Sequence, residues 1–545
     1  MSIRQSDFTL PVDLLAEPGT GAVRQRRPVY VDLLPPCNHA CPAGENIQSW
    51  LALARAERYR EAWSELLADN PLPAIHGRVC YHPCEISCNR NYNDSAVSIH
   101  AVERFLGDRA AQEGWALPEA GPPTGKRVLV VGSGPSGLSA AYHLARLGHI
   151  VEIHEAESLS GGMLRYGIPE YRLPREVVDK EIARITALGV TLVLNHQVQD
   201  VQAEQAAGYF DAVFLAIGAG LAKHIELPAS DAARMLDAVA MLHQVGAGDR
   251  PLLGRRVVVY GGGDTAMDAA RTARRLGADE TLIVYRRDRT HMPAHAFELS
   301  EALDEGIRFK WLSTIRQIDA GQLSIEQMQL DQAGHPQPTG HFEQLPADAV
   351  VLALGQEPDD RLLKRLTGIS LGTDGSVVVD SAMMTGLAGI FAGGDMVAGA
   401  HTVTDAVGHG KRAARHINAY LLGRMLAVDP KHPLAEFSGL HIPLYSDAER
   451  RKQPERPAEQ RAGNFSEVIG ALSEAQARYE AQRCFSCGNC FECDQCYAAC
   501  PEQAIEKLGP GRRYRFDYAR CTGCAVCFEA CPCQAIEMIP EPRSR

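Results

Sequence analysis

The chain has 545 residues, 45% of them hydrophobic, with 16 cysteines and a formal net charge of −12. That length leaves room for three or four domains with substantial cores, and the acidic balance argues against nucleic acid as a partner. No run of eighteen apolar residues offers a membrane span, and the opening MSIRQSDFTLPVDLLAEPG lacks the apolar stretch of a signal peptide, so a reducing cytoplasm is the expected home and disulfides are not expected.

Cysteine placement divides the chain. Five cysteines fall between Cys37 and Cys88, none between Asn89 and Arg483, and eleven from Cys484 to Cys533. The first group reads Cys37-x3-Cys41-Pro and, after a helical stretch over residues 47–73, Cys80-x3-Cys84-x3-Cys88. Nearby His39, His76 and His82 read as packing or surface residues, with hydrogen-bond tuning of a metal site as the sharper alternative.

A Gly/Pro-rich joint, AGPPTG at residues 120–125, leads into the strand RVLVV, then Gly132-x-Gly134-x-x-Gly137 and a helical pattern. Glycines at this spacing let a pyrophosphate approach a helix N-terminus. A second strand ends on Glu155, placed to accept from ribose hydroxyls. This ordered context marks a dinucleotide site rather than a packing turn. A second copy follows: RVVVY, Gly261-x-Gly263-x-x-Ala266, a helix, and the strand TLIVY. That strand runs into Arg286 and Arg287 instead of an acid, which suits the 2′-phosphate of NADP(H) better than the free hydroxyl of NAD(H). A solvated basic loop is the bland alternative.

The chain is expected to return to the first nucleotide fold with DAVVLALGQEPDD at residues 348–360, and then TGLAGIFAGGD, ending on Asp395. Residues 426–480 read as a linker. The tail repeats C-x2-C-x2-C-x3-C-P twice, at Cys490, Cys493, Cys496 and Cys500 and at Cys521, Cys524, Cys527 and Cys531. Each run gives three thiolates to one 4Fe-4S cluster and its fourth to the other, so Cys531 joins the first set and Cys500 the second. Zinc sites usually show two separated CxxC pairs, so the spacing favours clusters. Cys484 and Cys487 are surplus to both, either as reduced thiols or as further ligands.

The middle region resembles the flavoprotein oxidoreductases with two dinucleotide folds. The resemblance implies that the first fold holds FAD, that Gly161, Gly162 and Asp395 approach the flavin, with Gly408 in the helix that follows, and that the second fold holds the nicotinamide cofactor. No redox-active cysteine pair lies there, so electrons leaving the flavin need another acceptor, and no side chain need act as acid or base. GRVCYHPCEISCNR and SIHAVERF extend the resemblance to the glutamate synthase small subunit, and to the same module in dihydropyrimidine dehydrogenase and in NADPH-binding subunits of ferredoxin-reducing transhydrogenases. In that module seven cysteines and one further side chain hold two clusters, whereas five cysteines are present here. The missing pair is matched by EAQR-Cys484-x2-Cys487-Gly. The resemblance then implies one cluster on Cys37, Cys88, Cys484 and Cys487 and another on Cys41, Cys80, Cys84 and Glu103, four clusters in all, leaving Cys533 as an ordinary buried thiol.

The expected architecture is multidomain α/β: a helical iron–sulfur domain (1–121), an FAD fold (122–220 and 345–425), an NAD(P)H fold (221–344), the linker and a ferredoxin-like α+β domain (481–545). The expected activity is electron exchange between NADP(H) and ferredoxin or a ferredoxin-type partner, within a hetero-oligomer such as a 2-oxoacid oxidoreductase. A glutamate synthase small subunit and a non-catalytic iron–sulfur scaffold or redox sensor are the alternatives.

Overall fold

The computed structural model describes residues 24–223, 227–230, 233–426, 432–442 and 445–542. The opening nineteen residues read for a signal peptide lie outside them. Strand β1 (Arg26–Tyr30) leads into helices α1 (Ile47–Arg55), α2 (Tyr59–Leu67), α3 (Pro73–Val79) and α4 (Ile99–Glu113). In α1 the helical spacing of Ile47, Trp50, Leu51 and Ala54 buries all four on one face. Helices α3 and α4 cross at two glycines. A Cβ on Gly77 would sit 2.4 Å from the Arg104 backbone nitrogen, and one on Gly107 would sit 2.4 Å from that of Ala74. This close crossing sets Cys80, just after α3, beside Glu103 on α4.

The first nucleotide fold is a five-stranded parallel sheet. Its strands are β2 (Arg127–Val131), β3 (Ile150–His154), β4 (Thr191–Val193), β5 (Ala212–Leu215) and, from much later in the chain, Ile390–Ala392 beside β5. Helix α5 (Pro135–Arg146) follows β2, and α6 (Val201–Ala207) precedes β5. The second sheet is built on β6 (Met235–Asp237), β7 (Arg256–Gly261), β8 (Glu280–Val284) and β9 (Arg308–Lys310), with α7 (Asp264–Arg275) and α8 (Ala296–Asp304) packed on it. A three-stranded antiparallel sheet over residues 313–346 adjoins it.

The structure departs from the expected layout in two places. Strand Ala349–Ala353 pairs in parallel with both β7 and β6, so residues 348–353 still belong to the second sheet, and the return to the first comes after them. Its apolar residues fit the buried position between two parallel strands, a pattern common to both sheets. Residues 426–480 are not a free tether either. Among the described ones, Leu434 bridges Leu34, Leu472 is buried, and a helix at Glu474–Gln482 buries Ala477 and Ala481 in the core cluster of α1 and α4. The tail closes on the start of the chain: β1 pairs antiparallel with Ile536–Pro540, and Arg24 holds Glu541 through two hydrogen bonds of 2.7 Å. No helix among the described residues is long and apolar enough to cross a membrane.

A buried ion network fixes the two sheets relative to each other. Arg172, from the first fold, contacts Asp268 on α7 at 2.7 Å and Glu298 on α8 at 2.5 Å. Arg271, 0% exposed, reaches Glu301 at 2.7 Å and Glu305 at 2.8 Å, and Arg275 lies 3.7 Å above the Tyr171 ring. Such networks are costly to break singly, because the surviving charges stay buried. Arg271→Ala is expected to cost about 3–5 kcal/mol, read as a fall in the thermal unfolding midpoint. Arg255→Ala, which breaks an exposed pair with Asp279, is expected to leave the midpoint unmoved.

Candidate functional site

A cavity of about 760 Å³ runs between the two nucleotide folds, from Gly132, Gly134 and Glu155 past Gly162 and Asp395 to Asp264 and Asp268. Gly132 has φ +103°, and a Cβ there would lie 2.4 Å from the Ala216 carbonyl oxygen. On Gly137 a Cβ would lie 2.0 Å from the Gly132 oxygen. Gly134 has open space where a side chain would be, so the N-terminus of α5 is left clear for an anion. Ser136, in the first turn of α5, lines the cavity with a buried Oγ that has no hydrogen-bond partner. An orphaned hydroxyl at a helix N-terminus fits a dinucleotide pyrophosphate.

Glu155 is held rigidly: one carboxylate oxygen accepts from Ser133 N at 2.8 Å and Ser133 Oγ at 2.5 Å, the other from Glu157 N at 2.9 Å. Gly161 and Gly162 have φ of +124° and +51°, and a Cβ on Gly162 would come within 2.9 Å of Gly134 Cα, so this loop lies against the first fingerprint. Burial lifts the Asp395 carboxyl above the usual carboxylate range. Burial also holds His409 below the ordinary imidazole range, consistent with a neutral ring whose Nδ1 accepts from Gly394 N at 3.2 Å. Gly408, expected near the flavin, does not line the cavity. A Cβ there would sit 2.2 Å from the Pro42 carbonyl oxygen, so this glycine lets the helix Val403–Leu421 pack against the Cys41 segment.

In the second fold a Cβ on Gly261 would meet the Ala353 oxygen at 2.1 Å, Gly263 faces open space, and Ala266 is buried. Asp264, the first residue of α7, accepts from His295 N at 3.0 Å and contacts its Nδ1 at 3.0 Å. Arg286 and Arg287 follow β8 and do not line this cavity; Arg286 is exposed, and Arg287 Nε is buried without a hydrogen-bond partner. One feature has no sequence signal: Tyr81, between Cys80 and His82, lines the cavity and stacks on His295 with ring centroids 3.5 Å apart. The cysteine-bearing loop is thus part of the wall that faces both nucleotide folds.

The cysteines gather in groups. Cys37, Cys88, Cys484 and Cys487 line one small cavity, drawn from both ends of the chain. Cys500, Cys521, Cys524 and Cys527 line another. Cys490, Cys496, Cys500, Cys527 and Cys531 share one core cluster, with Cys533 buried among them and its Sγ 3.9 Å from that of Cys531. Donors point at the sulfurs. Thr404 Oγ1 donates to Cys80 Sγ at 3.1 Å, Ser486 N to Cys484 at 3.4 Å, Ala535 N to Cys531 at 3.3 Å and Ala504 N to Cys500 at 3.3 Å. Amides and hydroxyls aimed at sulfur fit thiolate ligands. Burial, and next the Glu103 carboxylate, push the Cys80 thiol up to about 12; burial, and next Cys484, push Cys487 up to about 12. Bare thiols in these places stay protonated, and a cationic centre would take them as thiolates. Burial and then Glu45 push Glu103 well above the carboxylate range, and Asn70 Nδ2 bridges the two at 2.9 and 2.8 Å. A buried carboxyl that stays protonated by itself would ionise against a cationic centre, which fits a cluster ligand.

Residues 126–410 match the family described as pyridine nucleotide-disulphide oxidoreductase, residues 31–115 the dihydropyrimidine dehydrogenase domain II with a 4Fe-4S cluster, and residues 489–535 the 4Fe-4S dicluster domain. The chain is 36% identical over 492 residues to the NADP(+)-dependent formate dehydrogenase subunit beta of Moorella thermoacetica, covering 82% of this chain and 69% of that one. It is 33% identical over 493 residues to the NADPH-Fe(3+) oxidoreductase subunit beta of Geobacter sulfurreducens, covering 81% and 73%. It is 34% identical over 418 residues to the glutamate synthase (NADPH) small chain of Escherichia coli, covering 71% and 89%.

Two glycine substitutions separate the nucleotide site from the cysteine loop. Gly137→Ala is expected to abolish retention of FAD on gel filtration. Gly408→Ala, which pushes on Pro42, is expected to lower the iron content while FAD is retained.

Proposed function

The chain belongs to the pyridine nucleotide-disulphide oxidoreductase family, among its glutamate synthase small-chain-like members, and from that premise we propose that it is an FAD-dependent NADP(H) oxidoreductase subunit that passes electrons to a ferredoxin-type partner. Bound FAD would exchange hydride with NADP(H), and the 4Fe-4S clusters would carry single electrons. Gly132, Gly134, Gly137, Glu155 and Asp395 would hold the FAD. Gly261, Gly263, Ala266, Arg286 and Arg287 would hold NADP(H). The FAD fold would take residues 122–220 and the stretch from 354 to 425, and the NADP(H) fold residues 221–353.

The observation that carries the reading is the single small cavity lined by Cys37, Cys88, Cys484 and Cys487. It supports four clusters in one chain: Cys41, Cys80, Cys84 and Glu103 nearest the FAD cavity, the shared group next, then Cys490, Cys493, Cys496 and Cys531, and last Cys500, Cys521, Cys524 and Cys527. Cys524 is the exposed cysteine of the sixteen, which favours the last group as the face offered to a partner. The relatives above are named as beta subunits and a small chain, which supports a hetero-oligomer. The partner's identity as ferredoxin or a 2-oxoacid oxidoreductase rests on the cluster type alone.

Three measurements test this. Changing both Cys484 and Cys487 to Ser is expected to lower iron from about 16 to about 12 per chain, the loss of one cubane cluster, with FAD content unchanged; iron that stays at the higher value contradicts the shared group. The Arg286→Ala/Arg287→Ala double variant is expected to raise KM for NADPH about tenfold or more, the loss of charge-assisted bonds to a phosphate, and to leave KM for NADH unchanged. Anaerobic bleaching of the flavin that is faster with NADH than with NADPH in the unaltered protein would contradict the NADP(H) assignment.

A further inference from the structure

At the edge of the FAD cavity lies a cluster of ligating side chains that the reading above does not use. His154, the last residue of β3, is 5% exposed. Its Nε2 is 2.8 Å from Glu152 Oε1. A carboxylate only accepts, so Nε2 donates to Glu152, which leaves Nδ1 as the ring's available ligand atom. That Nδ1 is buried, has no hydrogen-bond partner, and faces Glu204 Oε1 at 3.2 Å. The same Glu204 oxygen is 3.1 Å from His196 Nε2, and the three atoms all lie within 4.8 Å of one another.

Nδ1 and the carboxylate oxygen lie close together without a hydrogen bond between them, and a cation bound by both would satisfy both. The spacing fits such a cation. Tetrahedral Zn²⁺ with bonds of about 2.0–2.1 Å places neighbouring ligand atoms about 3.3 Å apart, close to both observed separations. Two imidazoles and one carboxylate are the donor set of a late first-row divalent ion with one position left open. Glu152 behind His154 supplies the carboxylate that fixes the tautomer of a metal-binding imidazole. We infer that His154 Nδ1, His196 Nε2 and Glu204 Oε1 bind one divalent cation of the zinc class. His154 and His196 both line the cavity, so the open position faces it, beside Glu155. The ion would tie α6, which carries Glu204, to the end of β3. This site uses no cysteine and does not depend on the cluster assignment.

The test uses the full chain loaded with iron, sulfide and FAD, incubated with ZnCl₂, freed of loose metal by gel filtration and assayed for zinc, iron and flavin. About one tightly held zinc per chain is expected, falling at least tenfold in His196→Asn and in Glu204→Gln, two partly exposed positions, with iron and flavin unchanged. Glu152→Gln, which keeps all three ligands, is expected to weaken zinc binding by about 10–100-fold. An unaltered protein that retains no zinc, or zinc held equally by the unaltered protein and both ligand variants, overturns the site.

Discussion

The fold turns on one constraint: the two ends of the chain must meet so that Cys37 and Cys88 share a cavity with Cys484 and Cys487. Four sulfurs converge only if the backbone behind them is held, and buried charge does the holding. Arg483, 3% exposed, donates to the carbonyl oxygens of Ser95 and Ala96 at 2.7 and 3.0 Å and pairs with Glu480 at 2.8 Å. Arg90 donates to the Arg483 oxygen at 2.6 Å and pairs with Asp94, also at 2.6 Å. Burial alone would raise the Asp94 carboxyl, but the hydrogen bonds from Arg90 and from backbone amides outweigh it and hold the group well below the usual range. Asn89 adds a bond to the Ala435 oxygen at 2.9 Å, so the approach to the tail is tied down as well.

This arrangement explains why the segment before the tail packs rather than hangs. A tether of some fifty residues without contacts would let the tail wander, and loop entropy opposes bringing its cysteines back. Burying Leu472, Ala477 and Ala481 against α1 and α4 offsets that cost locally. The strand pair between β1 and Ile536–Pro540 anchors the far side. The same helical domain reaches the other way, toward the nucleotide folds, through Tyr81 on His295, Thr404 on Cys80, and Gly408 under Pro42. The iron–sulfur domain is therefore the piece that touches the tail and both nucleotide folds.

What was legible in the sequence follows from range. The fingerprints, the strand-end acid and the repeated tail motif are local patterns, where spacing along the chain fixes spacing in space. The surplus of Cys484 and Cys487 was legible by count, because eight tail cysteines left them without a role. Contacts between distant residues left no such mark. Nothing near Tyr81 or His295 announces that they stack, and Arg172 gives no sign of Asp268 and Glu298. Gly408 was visible as a glycine, but which neighbour required it depended on a chain segment more than three hundred and fifty residues away. The sequence of strand Ala349–Ala353 does not tell which sheet takes it, because buried parallel strands share one apolar pattern. His154, His196 and Glu204 come from three separate elements and carry no motif.

The central claim is that the cysteine group shared by the two ends connects the flavin cavity to the exposed tail. Rapid mixing of the anaerobic full chain with NADPH, followed by freeze-quench EPR, tests it directly, because reduced tail clusters give their own interacting spectrum. The account predicts that this signal develops in the unaltered protein within one turnover and is lost when Cys484 and Cys487 are both serine, although the flavin still bleaches. Tail clusters reduced equally fast in the double variant would contradict it.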